Sequence, residues 1–371
     1  MRIGVDAREL CGRATGVGRY LRGLLAEWAV DDRARRHEFV LYAPDDIPLP
    51  LDMRRFATRA ISGTGGSFWE QMQLPAVAAR DHLDVWFSPA YSAPLRLRLP
   101  VVVAIHDLSF VARPEWFRLR EGARRRLFSR RAAAKARAVI TISEFSRHEL
   151  VERLNVPAEK IHVIPPGIGT GSAIVNPQSS INPQSSILNP QLAARLLFAG
   201  SIFNRRHVPD LIRAFAPIAR DRPDASLDLV GDNRTFPHED IARLITIEGL
   251  DRQVHWHRYV ADADLRRLYS QARGFAFLSE YEGLGLPPLE ALAAGVPPVL
   301  VDTAVARESC LDAALYVPAH DIAATTRALE SVLFDDTVRA AILGAAPAAL
   351  ARYDWPRAAR QTLDVLEASA G

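Results

Sequence analysis

An α/β architecture of two doubly wound, parallel-sheet domains follows from three features of the 371-residue sequence. Short β-branched runs alternate with stretches of helical periodicity along both halves, the pattern of strand–helix–strand units in a parallel sheet. The length exceeds what one core supports, because single cores stop growing near about 250–300 residues. The composition, 49% hydrophobic and 24% charged, supplies apolar material for two cores.

In the first half, Arg2–Asp6, Glu38–Ala43, Val85–Ser88, Val101–His106 and Ala138–Ser143 read as buried strands. Helical stretches lie between them, among them Arg19–Ala29 and Phe68–Arg80. The second half repeats the logic with strands at Leu196–Gly200, Leu227–Gly231, Val254–His257, Gly274–Leu278 and Pro298–Val301. Its helices are expected at Pro209–Ala219, Pro237–Glu248, Asp262–Gln271, Leu289–Ala294 and Asp321–Leu333. The predicted organisation is a first Rossmann-like domain over 1–165, a linker over 166–194, a second over 195–352, and a closing segment over 353–371. In the closing segment Asp354 suits the cap of a helix over Arg357–Ser369, with Pro356 in its first turn. The linker holds Asn176-Pro-Gln-Ser-Ser-Ile181, repeated as Asn182-Pro-Gln-Ser-Ser-Ile187 and partly as Asn189-Pro-Gln191. It is polar and lacks a buriable face. A neutral insertion explains it more economically than a hinge spacer, since linkers accept length changes at small entropic cost.

No apolar run approaches the about 18–20 residues of a membrane span. The start, Met1-Arg2-Ile3-Gly4-Val5-Asp6, reads as a strand rather than a secretory signal. Only Cys11 and Cys310 are present, so a disulfide framework is not expected and a cytoplasmic setting is. The net charge of +3 hides an asymmetry. Residues 1–165 carry 27 Lys+Arg against 19 Asp+Glu, a balance of +8; residues 166–371 carry 19 against 24, a balance of −5. The basic half suits an anionic partner or is a solvated arginine-rich surface. Its densest part, Arg113–Arg137, holds ten basic residues against Glu115 and Glu121, with Leu127 and Phe128 expected beneath. Peripheral contact with an anionic membrane is one reading of this stretch and a solvated helix the other. It carries no recognisable nucleic-acid-binding motif, which argues against nucleic acid.

The densest chemical signal is Ser279-Glu-Tyr-Glu-Gly-Leu-Gly-Leu-Pro-Pro-Leu-Glu-Ala-Leu-Ala-Ala-Gly295. A strand ends, a glycine loop follows, and Pro287 and Pro288 suit a helix's first turn. Free N–H groups at such a helix start favour an anion such as a diphosphate, and Gly283 and Gly285 allow close backbone approach. Glu282 and Glu290 would repel that anion unless they face hydroxyls, which carboxylates accept in pairs from vicinal diols. A second signal follows the strand ending at Gly200: Arg205 and Arg206 precede the next helix, placed to neutralise a diphosphate and the charge on a leaving group.

These residues resemble the family-4 retaining glycosyltransferases of the GT-B fold, in which two Rossmann-like domains face a cleft. The family's Glu-x7-Glu motif matches Glu282 and Glu290, and its Gly…Arg-Lys-Asn segment matches Gly200…Arg205-Arg206-His207. Gly16-Val-Gly-Arg-Tyr20, Ile105-His-Asp-Leu-Ser-Phe110, Thr141-Ile-Ser-Glu-Phe-Ser146 and Tyr353-Asp-Trp-Pro356 look like further family segments in order. The resemblance implies that Glu282 bonds the transferred sugar and Glu290 the ribose diol. It further implies that N–H groups of Gly285 and Leu286, with Arg205 and Arg206, hold phosphate, that Gly16 approaches the diphosphate, and that His106 contacts the sugar or positions the acceptor. The donor is then a GDP- or UDP-linked sugar, the acceptor a saccharide or lipid-linked saccharide, and no metal or resident cofactor is required. The overall pattern is most similar to mannosyl- and rhamnosyl-type transferases of polysaccharide assembly. Pro165-Pro-Gly-Ile-Gly169 departs from the family's usual Pro-Asn-Gly-Val-Asp. A non-catalytic nucleotide-sugar or membrane-binding protein and a GT-B phosphorylase are the alternatives.

Weaker signals read as structural. Gly16-x-Gly18 lacks the third glycine of a dinucleotide fingerprint, Leu21 standing there. Asp262-Ala-Asp264 suits a helix cap better than a metal site. His106 and Asp107 are neighbours on an extended strand end and point apart. His255 and His257 share a strand face but have no third ligand nearby in sequence.

Overall fold

The computed structural model describes residues 1–12, 16–47, 55–169 and 194–371. The repeat at 176–191 and most of the expected linker lie outside the described residues. Two compact units form: Met1–Pro114 with Leu119–Gly171 and Tyr353–Gly371, and Glu115–Arg118 with Ser172–Arg352. Both are α/β with all-parallel sheets, as GT-B domains are.

In the first unit the described strands are β1 (Arg2–Asp6), β2 (Glu38–Ala43), β3 (Ala57–Ala60), β4 (Val85–Ser88), β5 (Val101–Ala104), β6 (Ala138–Thr141) and β7 (Ile161–Val163). They lie in the order β3-β2-β1-β4-β5-β6-β7. The central strands are continuous apolar runs because helices cover both faces of a parallel sheet. The order reverses between β1 and β4, so loops after these strands diverge and leave a crevice at their C-terminal ends.

The final helix, Trp355–Ala370, closes the core of this first unit. Asp354 caps it, its carboxylate accepting from Arg357 N at 2.9 Å, and a proline stands in its first turn. Trp28 Nε1 donates to Ala359 O at 3.0 Å. A Cβ at Gly23 would lie 2.5 Å from the Trp355 ring, so glycine there is what lets the two helices approach.

In the second unit β8 (Arg195–Ala199), β9 (Ser226–Val230), β10 (Val254–His257), β11 (Gly274–Phe277), β12 (Pro298–Val301) and β13 (Leu315–Val317) lie in the order β10-β9-β8-β11-β12-β13. The reversal falls between β8 and β11.

Several expectations are corrected. The helix expected over Phe68–Arg80 is a π-turn at Trp69–Gln73 running into Leu74–Ala78. The helix expected from Pro237 starts only at Ile241, because side chains occupy the preceding backbone. Asn233 Oδ1 accepts from Thr235 N, Asn204 Oδ1 from Phe236 N, and Thr235 Oγ1 from Glu239 N, after which Asp240 caps the helix. The helix expected from Leu289 begins at Leu286, with both prolines in its first turn. Asp262 and Asp264 sit in the first turn of their helix and make no capping bond there. Leu127 is 46% exposed rather than beneath the basic helix Leu119–Lys135, which buries Gly122, Ser129, Ala132 and Ala133 instead. Small residues let that helix lie close to the sheet, and the longer apolar side chain is turned out.

Candidate functional site

The two chemical motifs meet in the second unit. The loop from Gly200 to Arg206 leaves the C-terminal end of β8, and the loop from Leu278 to Gly285 leaves that of β11, its neighbour across the topological switch. Open parallel sheets bind ligands at this place. Glu280 N donates to Arg205 O at 2.9 Å, tying the two loops together.

Gly200 carries φ +143°, and a Cβ there would stand 2.7 Å from Arg206 Nη1. The missing side chain is the space the guanidinium fills. Arg206 is buried, donates from Nη1 to Ser201 O at 2.8 Å and from Nε to Glu282 Oε1 at 2.8 Å, and lies over the Phe277 ring at 4.7 Å. Arg205 lies over Phe203 at 4.5 Å, a cation–π contact. Its Nε is buried without a hydrogen-bond partner, 3.7 Å from Glu282 Oε1. A buried donor left unmade costs about 1–3 kcal/mol, so this N–H is held ready for an acceptor.

Glu282 also accepts from Ser279 Oγ at 2.9 Å. Every polar contact described for the carboxylate falls on Oε1, which leaves Oε2 to accept from a ligand. Burial pushes this carboxyl up; Arg206, then Arg205, and the hydrogen bonds from Arg206 and Ser279 outweigh it and hold the group below the ordinary carboxylate range. Glu282 is therefore an anion at neutral pH, an acceptor rather than a proton donor.

Gly285 adopts φ +85° and opens the helix Leu286–Ala293, with nothing within 4 Å of where its Cβ would stand. Pro287 and Pro288 have no N–H, so the helix start offers the donors of Gly285 and Leu286 alone to an anion. Gly283 lies on the same loop. Glu290 is inside that helix and 7% exposed. The structure thus brings Gly200, Arg205, Arg206, Glu282, Gly283, Gly285, Leu286 and Glu290 onto two adjacent loops and one helix.

Gly16 and His106 belong to the first unit. Gly16 begins the helix Gly16–Val30, is exposed, and has open space where a Cβ would be. His106 follows β5 and is 8% exposed. Its Nε2 lies 2.7 Å from Pro89 O, which only accepts, so Nε2 carries the proton and Nδ1 the lone pair. Burial holds the imidazole below its ordinary pKa, against the Pro89 carbonyl and Asp107. Tyr20 and Tyr91 meet it edge-on at 4.7 and 5.8 Å. Asp107 turns to other partners, Tyr91 Oη at 2.8 Å and Ser109 N and Oγ at 2.9 and 2.7 Å.

Ser279, Phe203 and Phe277 shape the site and were given no role by the sequence reading. Ser279 stands inside the quoted motif; the two rings carry no signal of their own, because their part depends on where the arginines fold.

Two guanidiniums and a carboxylate at the switch point suit a ligand that carries both an anionic group and hydroxyls. The family described as glycosyl transferases group 1 matches residues 185–347, and that described as Glycosyltransferase Family 4 matches residues 14–171. The chain belongs to these GT-B glycosyltransferases. It is similar to O-antigen chain mannosyltransferase B of Escherichia coli, 26% identical over 292 residues, 78% of this chain and 76% of the relative. It is likewise similar to D-inositol 3-phosphate glycosyltransferase of Nocardioides sp., 27% identical over 324 residues, 80% of this chain and 69% of the relative. Anabaena HepE, solved with UDP and glucose, shares the fold with a TM-score of 0.72 at 20% identity over 99% of each chain.

Proposed function

We propose that the protein moves a hexosyl group from a GDP- or UDP-linked sugar to a saccharide or lipid-linked acceptor, with retention and with no metal on the diphosphate. The observation that carries this reading is the buried, unpartnered Nε–H of Arg205 beside the Arg206–Glu282 pair, at the switch point of the sheet. Two guanidiniums and the N–H groups of Gly285 and Leu286 supply the charge that a metal would otherwise bring to a leaving diphosphate. Glu282 Oε2 accepts from sugar hydroxyls, and Glu290 from the ribose. In the transfer the C1–O bond to phosphate breaks and the C1–O bond to the acceptor forms. The acceptor proton passes to the departing phosphate oxygen. His106, neutral with its lone pair on Nδ1, suits a hydrogen bond from a hydroxyl of sugar or acceptor. A mannosyl donor is favoured by the likeness to the O-antigen mannosyltransferase.

The helix Leu119–Lys135 supports a lipid-linked acceptor. Leu119 and Leu127 are 87% and 46% exposed on a helix studded with arginines, a face suited to an anionic membrane surface at the cytoplasmic side. None of the described helices is long and apolar enough to cross a membrane.

Thermal shift against nucleoside diphosphates and their sugars, without added Mg2+ or Mn2+, tests the donor reading. Stabilisation by one nucleotide series supports it and names the base; no stabilisation of folded protein by any of them refutes it. Nuclear magnetic resonance of the first-formed product reads the anomeric configuration, and inversion would sink the retaining mechanism. Co-sedimentation with vesicles of anionic lipid, compared with neutral vesicles, tests the membrane contact; equal binding to both ends that idea.

A further inference from the structure

Three loops of the second unit converge beside the arginine clamp and bring together two histidines and two carboxylates. His207 follows Arg206, Glu280 follows Ser279, and His320 lies in the turn after β13. The Nε2 atoms of both imidazoles point to one oxygen, Glu280 Oε1, at 3.1 Å from His207 and 2.8 Å from His320. Behind the rings stands Asp210, whose Oδ2 is 3.0 Å from His320 Nδ1 and 3.9 Å from His207 Nδ1. The rings meet edge-to-face with centroids 4.4 Å apart.

This geometry has an electrostatic consequence. Asp210 accepts, so the proton of a neutral His320 sits on Nδ1 and Nε2 presents its lone pair to Glu280. A nitrogen lone pair and a carboxylate oxygen at 2.8 Å repel each other unless a proton or a metal ion on Nε2 joins them, so a metal entering here takes the place of that proton. His207 Nε2 is likewise buried and turned toward the same carboxylate oxygen, at 3.1 Å and without a well-aligned hydrogen bond. Both histidines also take left-handed backbone angles, φ 44° and 61°, which cost a non-glycine residue about 1–3 kcal/mol each. The surrounding fold, and not local backbone preference, therefore holds both rings toward Glu280.

We infer that His207, His320 and Glu280 form a binding site for a borderline divalent transition metal, Zn2+ by preference. One ligand atom from each of the three residues lies within 4.8 Å of the other two. Two imidazoles and a carboxylate are a zinc ligand set, with water in the fourth place. Asp210 is the outer carboxylate that orients the rings through Nδ1–H, the usual partner of metal-bound histidine. His320 is largely exposed, with its side chain 60% accessible, and gives the ion a path in from solvent. The ion does not touch the reacting bonds. It clips the loop after β8 to the loop after β11 and to the turn after β13, and so stiffens the segments that carry Arg205, Arg206 and Glu282. That link to the donor rests on the function proposed above; the metal site itself does not.

Spacing along the chain concealed these ligands. His255 and His257 have metal-like spacing, yet His257 Nε2 is engaged by Asp228 at 3.0 Å and His255 is exposed. The converging residues are separated by 73 and 40 positions.

The test uses untagged full-length protein, stripped with a chelator and titrated with Zn2+ or Co2+. One equivalent of metal is expected by elemental analysis, with a Co2+ absorption spectrum of low-symmetry nitrogen–oxygen coordination. His320→Ala, at an exposed position, is expected to keep the fold and lose the bound equivalent. Asp210→Asn is expected to weaken binding by about 10–100-fold. His255→Ala is the control and should bind as the parent does. Absence of stoichiometric metal in the parent, or undiminished binding in both His320→Ala and His207→Ala, overturns the site. Metal binding that leaves nucleotide affinity unchanged keeps the site and removes only its link to the donor loops.

Discussion

Gly200→Ala separates two things that one glycine does, and the structure sets the size of each. The φ of +143° is a region that side-chain-bearing residues avoid, at a cost of about 1–3 kcal/mol. A unit of this size loses about 2–4 °C of melting temperature per kcal/mol, so a fall of about 2–12 °C is expected. The second effect is functional. The new Cβ would stand 2.7 Å from Arg206 Nη1, the mobile end of a long side chain, which yields by swinging away. It then gives up the bond to Ser201 O and its alignment with Glu282. One charge-assisted bond is worth about 1.5–3 kcal/mol, so nucleotide-sugar affinity should fall by about 10–100-fold. Calorimetric binding and melting curves measure both. A double-mutant cycle isolates the cause: with Arg206→Ala in place, Gly200→Ala should still lower the melting temperature but should weaken donor binding no further. Full additivity of the two affinity losses would refute the claim that Gly200 acts through Arg206. Gly231→Ala is the contrast, because its Cβ would fall 2.0 Å from Gly200 O, a backbone atom that has nowhere to go. That variant should unfold the second unit.

Other expectations concern charge, burial and pH. Glu282→Gln keeps the shape but replaces an anion pinned by Arg205 and Arg206, and should lower kcat/KM by about 100-fold or more, read by product formation at saturating acceptor. His106 is held below its ordinary pKa, so its neutral form favours the fold above the unfolded value of about 6.5, and that contribution is lost as pH falls through the lower folded value. Urea midpoints between pH 7.5 and 5 should therefore drop in the parent and drop less in His106→Phe; parallel curves would contradict the assignment. Trp355→Ala removes the ring that fills the space over Gly23, and should cost about 3–5 kcal/mol in the first unit with little change in donor affinity.

Much of this could be read from the sequence wherever a physical signal was local. Arg2–Asp6, Glu38–Ala43, Val85–Ser88, Val254–His257 and Pro298–Val301 are strands with the expected bounds, because a strand covered on both faces is a continuous apolar run. The edge strands Ala57–Ala60, Ile161–Val163 and Leu315–Val317 escaped notice, being three or four residues long and only partly buried. The glycine loop, both prolines and the arginine pair were visible as motifs since each acts through its own backbone or charge. What spacing could not reveal is mutual: that Gly200 is empty so that Arg206 can be full, that Arg205 Nε is left without a partner, and that His207 and His320 face the same oxygen of Glu280. These are properties of the sheet order, which sets which loops become neighbours.

The closing helix has a consequence for biosynthesis. Trp28 and Ala359 are joined across 331 positions, and the helix carrying Trp355, Leu363 and Leu366 completes a core whose other members run from Ile3 to Ile164. The first unit to be translated is therefore the last that can finish folding, while the second can settle as soon as its own residues emerge. Until residue 366 is made, the nascent chain shows an apolar patch over Gly23 and Trp28 that invites chaperones. A premature stop near residue 352 would injure the first unit and spare the second.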